Sequence, residues 1–209
     1  MKQLLVDYLP FEITANAVNE SIAKNNGKLI VTGILQRAEA KNQNGRIYPR
    51  DTLVREAKKY SDTFIKQRRA LGELDHPESS VVNLQNASHN ITEMGWSGDN
   101  LIGTVEVLGT PSGNILKELF KAGIKLGISS RGLGSVETVA EEDGGNGEAP
   151  AQEVQPDFEL IAFDFVSNPS TQGAFMFPMK ESVNKERAPE LCDVYCKTES
   201  IISDIISGV

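Results

Sequence analysis

The sequence holds two histidines, His76 and His89, so a mechanism that needs an imidazole near neutral pH has few choices. His76 stands in GELDHPE, where a strand is expected to run into a loop at Pro77. Loops on rigid strands are where catalytic groups tend to be held, although a structural histidine is the plainer reading of residue type alone. His89, in ASHNITEM, lies in an alternating strand pattern and reads as a surface or half-buried histidine. A second segment, GISSRGLGS from Gly127 to Ser135, sets two serines among glycines. Glycine lets a backbone approach a substrate closely and aim its N–H groups. A hydroxyl followed by free amide donors has the parts of a nucleophile and an oxyanion hole, yet Gly-Ser runs also make ordinary turns. The third segment is LIAFDFV, with Asp164 inside an apolar strand. A carboxylate there is costly without a partner. It can point to solvent, or it can orient a histidine and stabilise the imidazolium. His76, Ser129 and Asp164 would together form a hydrolytic triad, for which chain order is not fixed.

Other chemistries find little support. Cys192 and Cys196 are one helical turn apart, with no histidine or further cysteine nearby, and a structural zinc site needs four such ligands. H-E-x-x-H is absent, GLGS lacks the lysine of a P-loop, and no G-x-G-x-x-G occurs, so neither a metal nor a cofactor is expected. The segment around Ser129 is not G-x-S-x-G, which disfavours an α/β-hydrolase esterase.

Several elements must position these residues. Leu29–Leu35 is a β-branched strand, followed by a loop centred on Asn44-Gly45. Leu53, Ala57, Tyr60 and Phe64 recur at helical spacing, which predicts a helix from Pro49 to about Arg69 with its basic residues in solvent. Strands are expected near Ala87–Met94 and Leu101–Leu108, a second helix over Ser112–Ala122 capped by Gly123, and a last strong strand over Phe158–Val166. The pattern predicts an α+β fold with a mainly antiparallel sheet or barrel. Residues 1–27 read as a polar, poorly structured lead-in, 28–180 as the functional domain, 141–157 as a mobile acidic loop, and 181–209 as a tail with an apolar stripe. The 209 residues suit one domain of ordinary size. A formal net charge of −8 disfavours nucleic acid and anionic membrane as partners. No signal peptide or membrane span is visible, and the cysteine pattern fits a reducing cytoplasm.

NGRIYP (44–49), GELDHP (72–77) and GISSRGLGS (127–135), in this order, resemble the prohead core serine proteases of T-even-type tailed phages; FDFVSNPS (163–170) resembles a looser fourth block. The match covers about residues 29–170. The resemblance implies a fold shared with herpesvirus assemblins, an antiparallel barrel surrounded by helices. It implies a serine endopeptidase that cuts phage scaffold and core proteins and the major capsid protein precursor, inside the prohead in the host cytoplasm, and finally itself. It assigns the base to His76 and the nucleophile to Ser129. Assemblins take their third member from a histidine after the serine, and this chain has none there. Asp164 is assigned that role, ahead of Glu73, Asp75 and Glu159, and Ser130 and Arg131 are assigned to the oxyanion through backbone N–H groups or the arginine side chain. The family also implies cleavage after glutamate and a homodimer; the apolar stripe of the tail then reads either as a helix that docks on the scaffold core or as one that packs on its own domain. The alternative is an inactive scaffold or capsid-assembly protein that retains the protease fold.

Overall fold

The computed structural model describes residues 15–77, 79–139 and 150–179. Most of the expected acidic loop, the expected docking tail and both cysteines lie outside the described residues. Within them, the lead-in is not structureless. Ala15–Lys24 forms helix α1, and its Val18 and Ser21 are buried. Ser21 Oγ donates to Ile30 C=O at 3.0 Å, which seats α1 on the first strand. The polar composition of NAVNESIAK hides a single inward stripe.

Strand β1 (Leu29–Arg37) pairs antiparallel with β5 (Asn100–Val107), and β5 pairs with β4 (Ala87–Ser97) through the turn at Gly98. Strand β3 (Leu71–Glu73) lies on the far side of β4, and β10 (Met176–Pro178) on the far side of β1. These make a five-stranded sheet in the order β10-β1-β5-β4-β3. Short β2 (Arg46–Ile47), β7 (Val136–Val139) and β8 (Ala151–Val154) form a second sheet, so the expected acidic loop contains a strand. The third sheet is the antiparallel pair β6 (Gly127–Leu133) and β9 (Glu159–Val166). The expected α+β class with mainly antiparallel sheets is present, but the strands do not form one closed barrel. They fall into three sheets, of which the five-stranded sheet and the β6–β9 pair meet through single bridges at Leu74–Phe165 and Gly127–Phe175.

Helix α2 (Arg50–Tyr60) buries Leu53, Ala57 and Tyr60, as the spacing predicts. Its α geometry stops earlier than expected: a wider π-type turn follows at Ser61–Ile65, where Lys66 N–H reaches back to Ser61 C=O. Helix α3 (Pro111–Lys121) opens with Thr110 accepting the Gly113 N–H and with Pro111 in its first turn. It closes at Gly123, whose φ of +76° suits glycine after a helix end. The core runs continuously from Val18 and Leu29 through Ile91, Phe120 and Ile128 to Phe165. Both helices and the sheets therefore press on one face of β6 and β9 and leave the other face for the site.

Candidate active site

The β6–β9 ladder sets the geometry. Ser129 stands directly opposite Asp164, flanked by the pairs Ile128–Phe165 and Ser130–Phe163. Residues opposite one another share a face, and alternate residues along a strand do too. Ser129, Arg131 and Asp164 therefore occupy one face, while Ile128, Phe163 and Phe165 enter the core from the other.

Ladder bonding alternates as well. Ile128 N–H leaves the ladder to reach Ala174 C=O at 2.9 Å, and Phe165 C=O leaves it to accept from Asp75. It follows that Ser129 and Asp164 exchange backbone bonds across the ladder, and that the Ser130 N–H points to the outer edge, away from β9.

His76 arrives from the other side of β9. Leu74 forms a parallel bridge to Phe165, and the Asp75 N–H donates to Phe165 C=O at 2.8 Å. Asp75 then turns in the left-handed region, φ +70°, a conformation that aspartate tolerates better than most residues. Its Oδ1 accepts the His76 N–H at 2.9 Å. This turn brings the His76 ring over the site face, where Nδ1 lies 2.9 Å from Asp164 Oδ2. The His76 side chain is 39% exposed, whereas that of Asp164 is fully buried. A reacting group can thus reach the imidazole from solvent while its orienting carboxylate stays dry.

Asp164 is saturated with donors. Its Oδ1 accepts the Glu73 N–H at 3.0 Å and an Arg131 terminal nitrogen at 3.1 Å. Its Oδ2 accepts Arg131 Nε at 2.8 Å besides facing His76. Burial, the largest single influence, pushes the Asp164 pKa up, but the bonds from His76, Arg131 and the Glu73 N–H outweigh it and leave the pKa below the usual value. The Arg131 guanidinium is also shared with Glu73 Oε1, at 3.2 Å, and with the Ser79 carbonyl. Tyr60 stands behind this group on α2; burial, then the Asp164 charge, raises its pKa.

Ser129 is 4% exposed, and its Oγ lies 3.1 Å from Ser170 Oγ. No hydrogen bond joins Ser129 to His76 among the described residues. Ser170 sits in a braced segment. Its carbonyl accepts the Gln43 N–H at 2.9 Å, and neighbouring Thr171 donates to Gln36 Oε1. Buried Gln36 in turn donates to Ser130 Oγ at 2.8 Å.

His76, Ser129 and Asp164 thus gather on one face of two adjacent strands. Ser130 and Arg131 are beside them, but the Ser130 hydroxyl is engaged by Gln36 and the Arg131 guanidinium by two carboxylates. Of the weaker candidates, Glu73 holds Arg131, Asp75 binds the His76 backbone, and Glu159 is exposed beside Lys59. His89 is not at the surface. It is fully buried, donor or acceptor to Ser88 Oγ at 2.9 Å and bonded through Nε2 to the Phe163 carbonyl at 3.0 Å. Gln36 had no sequence signal beyond polarity at the end of an apolar run, and Ser170, which ends the block FDFVSNPS, was given no role there. Among the described residues, no cluster of His, Cys, Asp or Glu is arranged to hold a metal.

Comparison with known proteins matches residues 6–185 to the family model described as prohead core protein serine protease. The prohead core protein protease of Enterobacteria phage T4 is 32% identical over 172 residues, covering 80% of this chain and 77% of that protein. The solved structure of the bacteriophage T4 capsid assembly protease superposes with a TM-score of 0.59 at 31% identity, covering 66% of this chain and 81% of that one.

Proposed function

The chain belongs to the prohead core protein serine protease family, and from that membership we propose that it is the serine endopeptidase that cuts scaffold and capsid precursor proteins as a phage prohead matures. One observation carries the site assignment: fully buried Asp164 meets His76 Nδ1 at 2.9 Å and stands opposite Ser129 on the neighbouring strand. Asp164 fixes the His76 tautomer with Nδ1 protonated, which leaves Nε2 free to act as a base. Ser129 leaves Ser170, passes its proton to His76 and attacks the scissile carbonyl. The Ser130 N–H, on the edge of β6 that faces away from β9, is the donor we assign to the oxyanion. His76 then protonates the leaving amine, and water resolves the acyl-enzyme.

Cleavage after glutamate, final self-cleavage, action inside the prohead and dimerisation are carried over from the family resemblance. So is the likeness to the herpesvirus assemblin barrel, for which the two single bridges between sheets are the structural support. A second reading, a scaffold protein with little activity, draws on the Ser129 hydroxyl resting on Ser170 rather than on His76. Intact-mass analysis of wild type and Ser129→Ala, each incubated with the scaffold and capsid precursors, separates the two. The expected outcome is new fragments with wild type alone, and a loss of several orders of magnitude in rate for Ser129→Ala. Equal cleavage by both proteins would exclude Ser129, and no cleavage by either during prohead assembly would favour the scaffold.

A further inference from the structure

We propose that Arg131 is a positioning residue for the hydrolysis, holding Asp164 as a carboxylate and fastening the His76 loop to the serine strand; this rests on the peptidase reading above. The side chain leaves β6 on the same face as Ser129, two residues on. It meets both oxygens of Asp164, at 2.8 and 3.1 Å, in the bidentate fork that a guanidinium offers and an ammonium does not. Its remaining donors go to Glu73 Oε1 and to the Ser79 carbonyl. Glu73 Oε1 also accepts the Asn83 N–H at 3.0 Å. Ser79 and Asn83 lie just beyond His76 in the same loop, and Glu73 lies just before it. One guanidinium therefore grips the loop at both ends, and the carboxylate in its middle is the one that aims the imidazole. With 9% of its side chain exposed, Arg131 is removed from solvent, so its charge acts on Asp164 with little screening.

The charged and titratable groups around the His76–Asp164 pair come from every element packed on it. They are Arg131 on β6, Glu73 on β3, Asp75 in the turn, Tyr60 on α2 and His89 on β4, the last two being felt by or feeling Asp164. Arg131 is the cation among them with direct bonds to Asp164. Without it, the buried pair keeps its negative charge uncompensated and takes up a proton at a higher pH, whichever member holds that proton. The acid limb of activity must then move upward. A residue that only supported the fold would instead lower the amount of active enzyme equally at every pH.

The experiment is the pH dependence of the second-order rate at which a fluorophosphonate labels Ser129, read by intact mass, alongside cleavage of the precursor substrate, for wild type, Arg131→Gln and Arg131→Lys. Circular dichroism and thermal melting verify that each variant folds. For Arg131→Gln the acid limb should rise by roughly one unit or more, with kcat reduced about 100-fold and KM little changed. Arg131→Lys, which keeps the charge and loses the fork, should restore the limb but only part of kcat. A folded Arg131→Gln whose limb stays in place overturns the proposal. If Arg131→Gln does not fold, Arg131→Lys decides alone: wild-type kcat in it would equally overturn the positioning role. Failure of wild type itself to label or cleave would count against the peptidase reading, a separate result.

Discussion

Asp164 has a hydrogen-bond donor for each of its four lone-pair directions, and this explains how a carboxylate can sit fully buried inside FDFV. Replacing it with asparagine puts an NH2 where two or more donors already point. Asp164→Asn should keep the fold, lose about 10³–10⁴-fold in kcat because the His76 tautomer is no longer fixed, and be read by steady-state cleavage. The pH consequence for stability has a definite sign. The folded Asp164 pKa lies below its unfolded value, so its contribution is present above the unfolded value, near pH 3.9, and is lost as pH falls below it. Acid unfolding should therefore be less steep in a folded Asp164→Asn protein. At this scale much was legible in the sequence: scarce histidine, glycine-flanked serine and a lone acid in an apolar strand are each chemically unusual. The employment of Arg131 was not, because the direction of its guanidinium depends on the β6–β9 register. Gln36 was hidden for a related reason. A register shift between Ile34 and Gln36 breaks the alternation of β1, so Leu35 and Gln36 both turn inward.

At the level of elements, β9 is held in place from behind by β3 and β4. Gly72 on β3 has no room for a side chain, since a Cβ there would lie 1.9 Å from the Phe163 carbonyl and 2.4 Å from the His89 ring. Gly72→Ala should push β3 from β9, cost roughly 1–3 kcal/mol in denaturant unfolding, and reduce activity by misplacing the His76 turn. His89 supplies the second support. Burial lowers its pKa to about 4 from 6.5, against the opposing pull of Asp164 and the Phe163 carbonyl. The unfolded chain thus binds this proton at higher pH than the folded one. Stability is complete above about pH 6.5 and falls as pH drops toward 4, by up to roughly 3 kcal/mol. In a folded His89→Gln variant, urea unfolding at pH 7 and pH 4.5 should differ less than in wild type. The sequence located most of these strands and helices. It missed α1, whose inward stripe is short, and β2, β8 and β10, which are brief strands that exist through pairing rather than propensity. It also read ASHNI as alternating, whereas Ala87–Ile91 is buried on both faces of β4.

For the molecule as a whole, the α+β class followed from the count of strands and helices, while their division into three sheets did not. How the sheets meet depends on where β10 and the Leu74 bridge fall, and neither leaves a trace in local pattern. The buried core of the described residues lies between Val18 and Met176. A chain ended after Met179 should therefore unfold as cooperatively as the full chain in a thermal scan, and be tested separately for entry into proheads. The direct pairing of Ser129 with Asp164 has a further consequence, for how such a chain can change its length over generations. A one-residue insertion that moved this register would turn the nucleophile or its acid to the opposite side, and the ladder keeps the pairing only where a bulge absorbs the extra residue, as it does between Arg131 and Gly132. Residues added between Val139 and Ala151, past the end of β7 and before β8, leave both pairings as they are and cost only the slow logarithmic growth of loop closure. Relatives should differ in length in that interval and keep the two strands free of gaps.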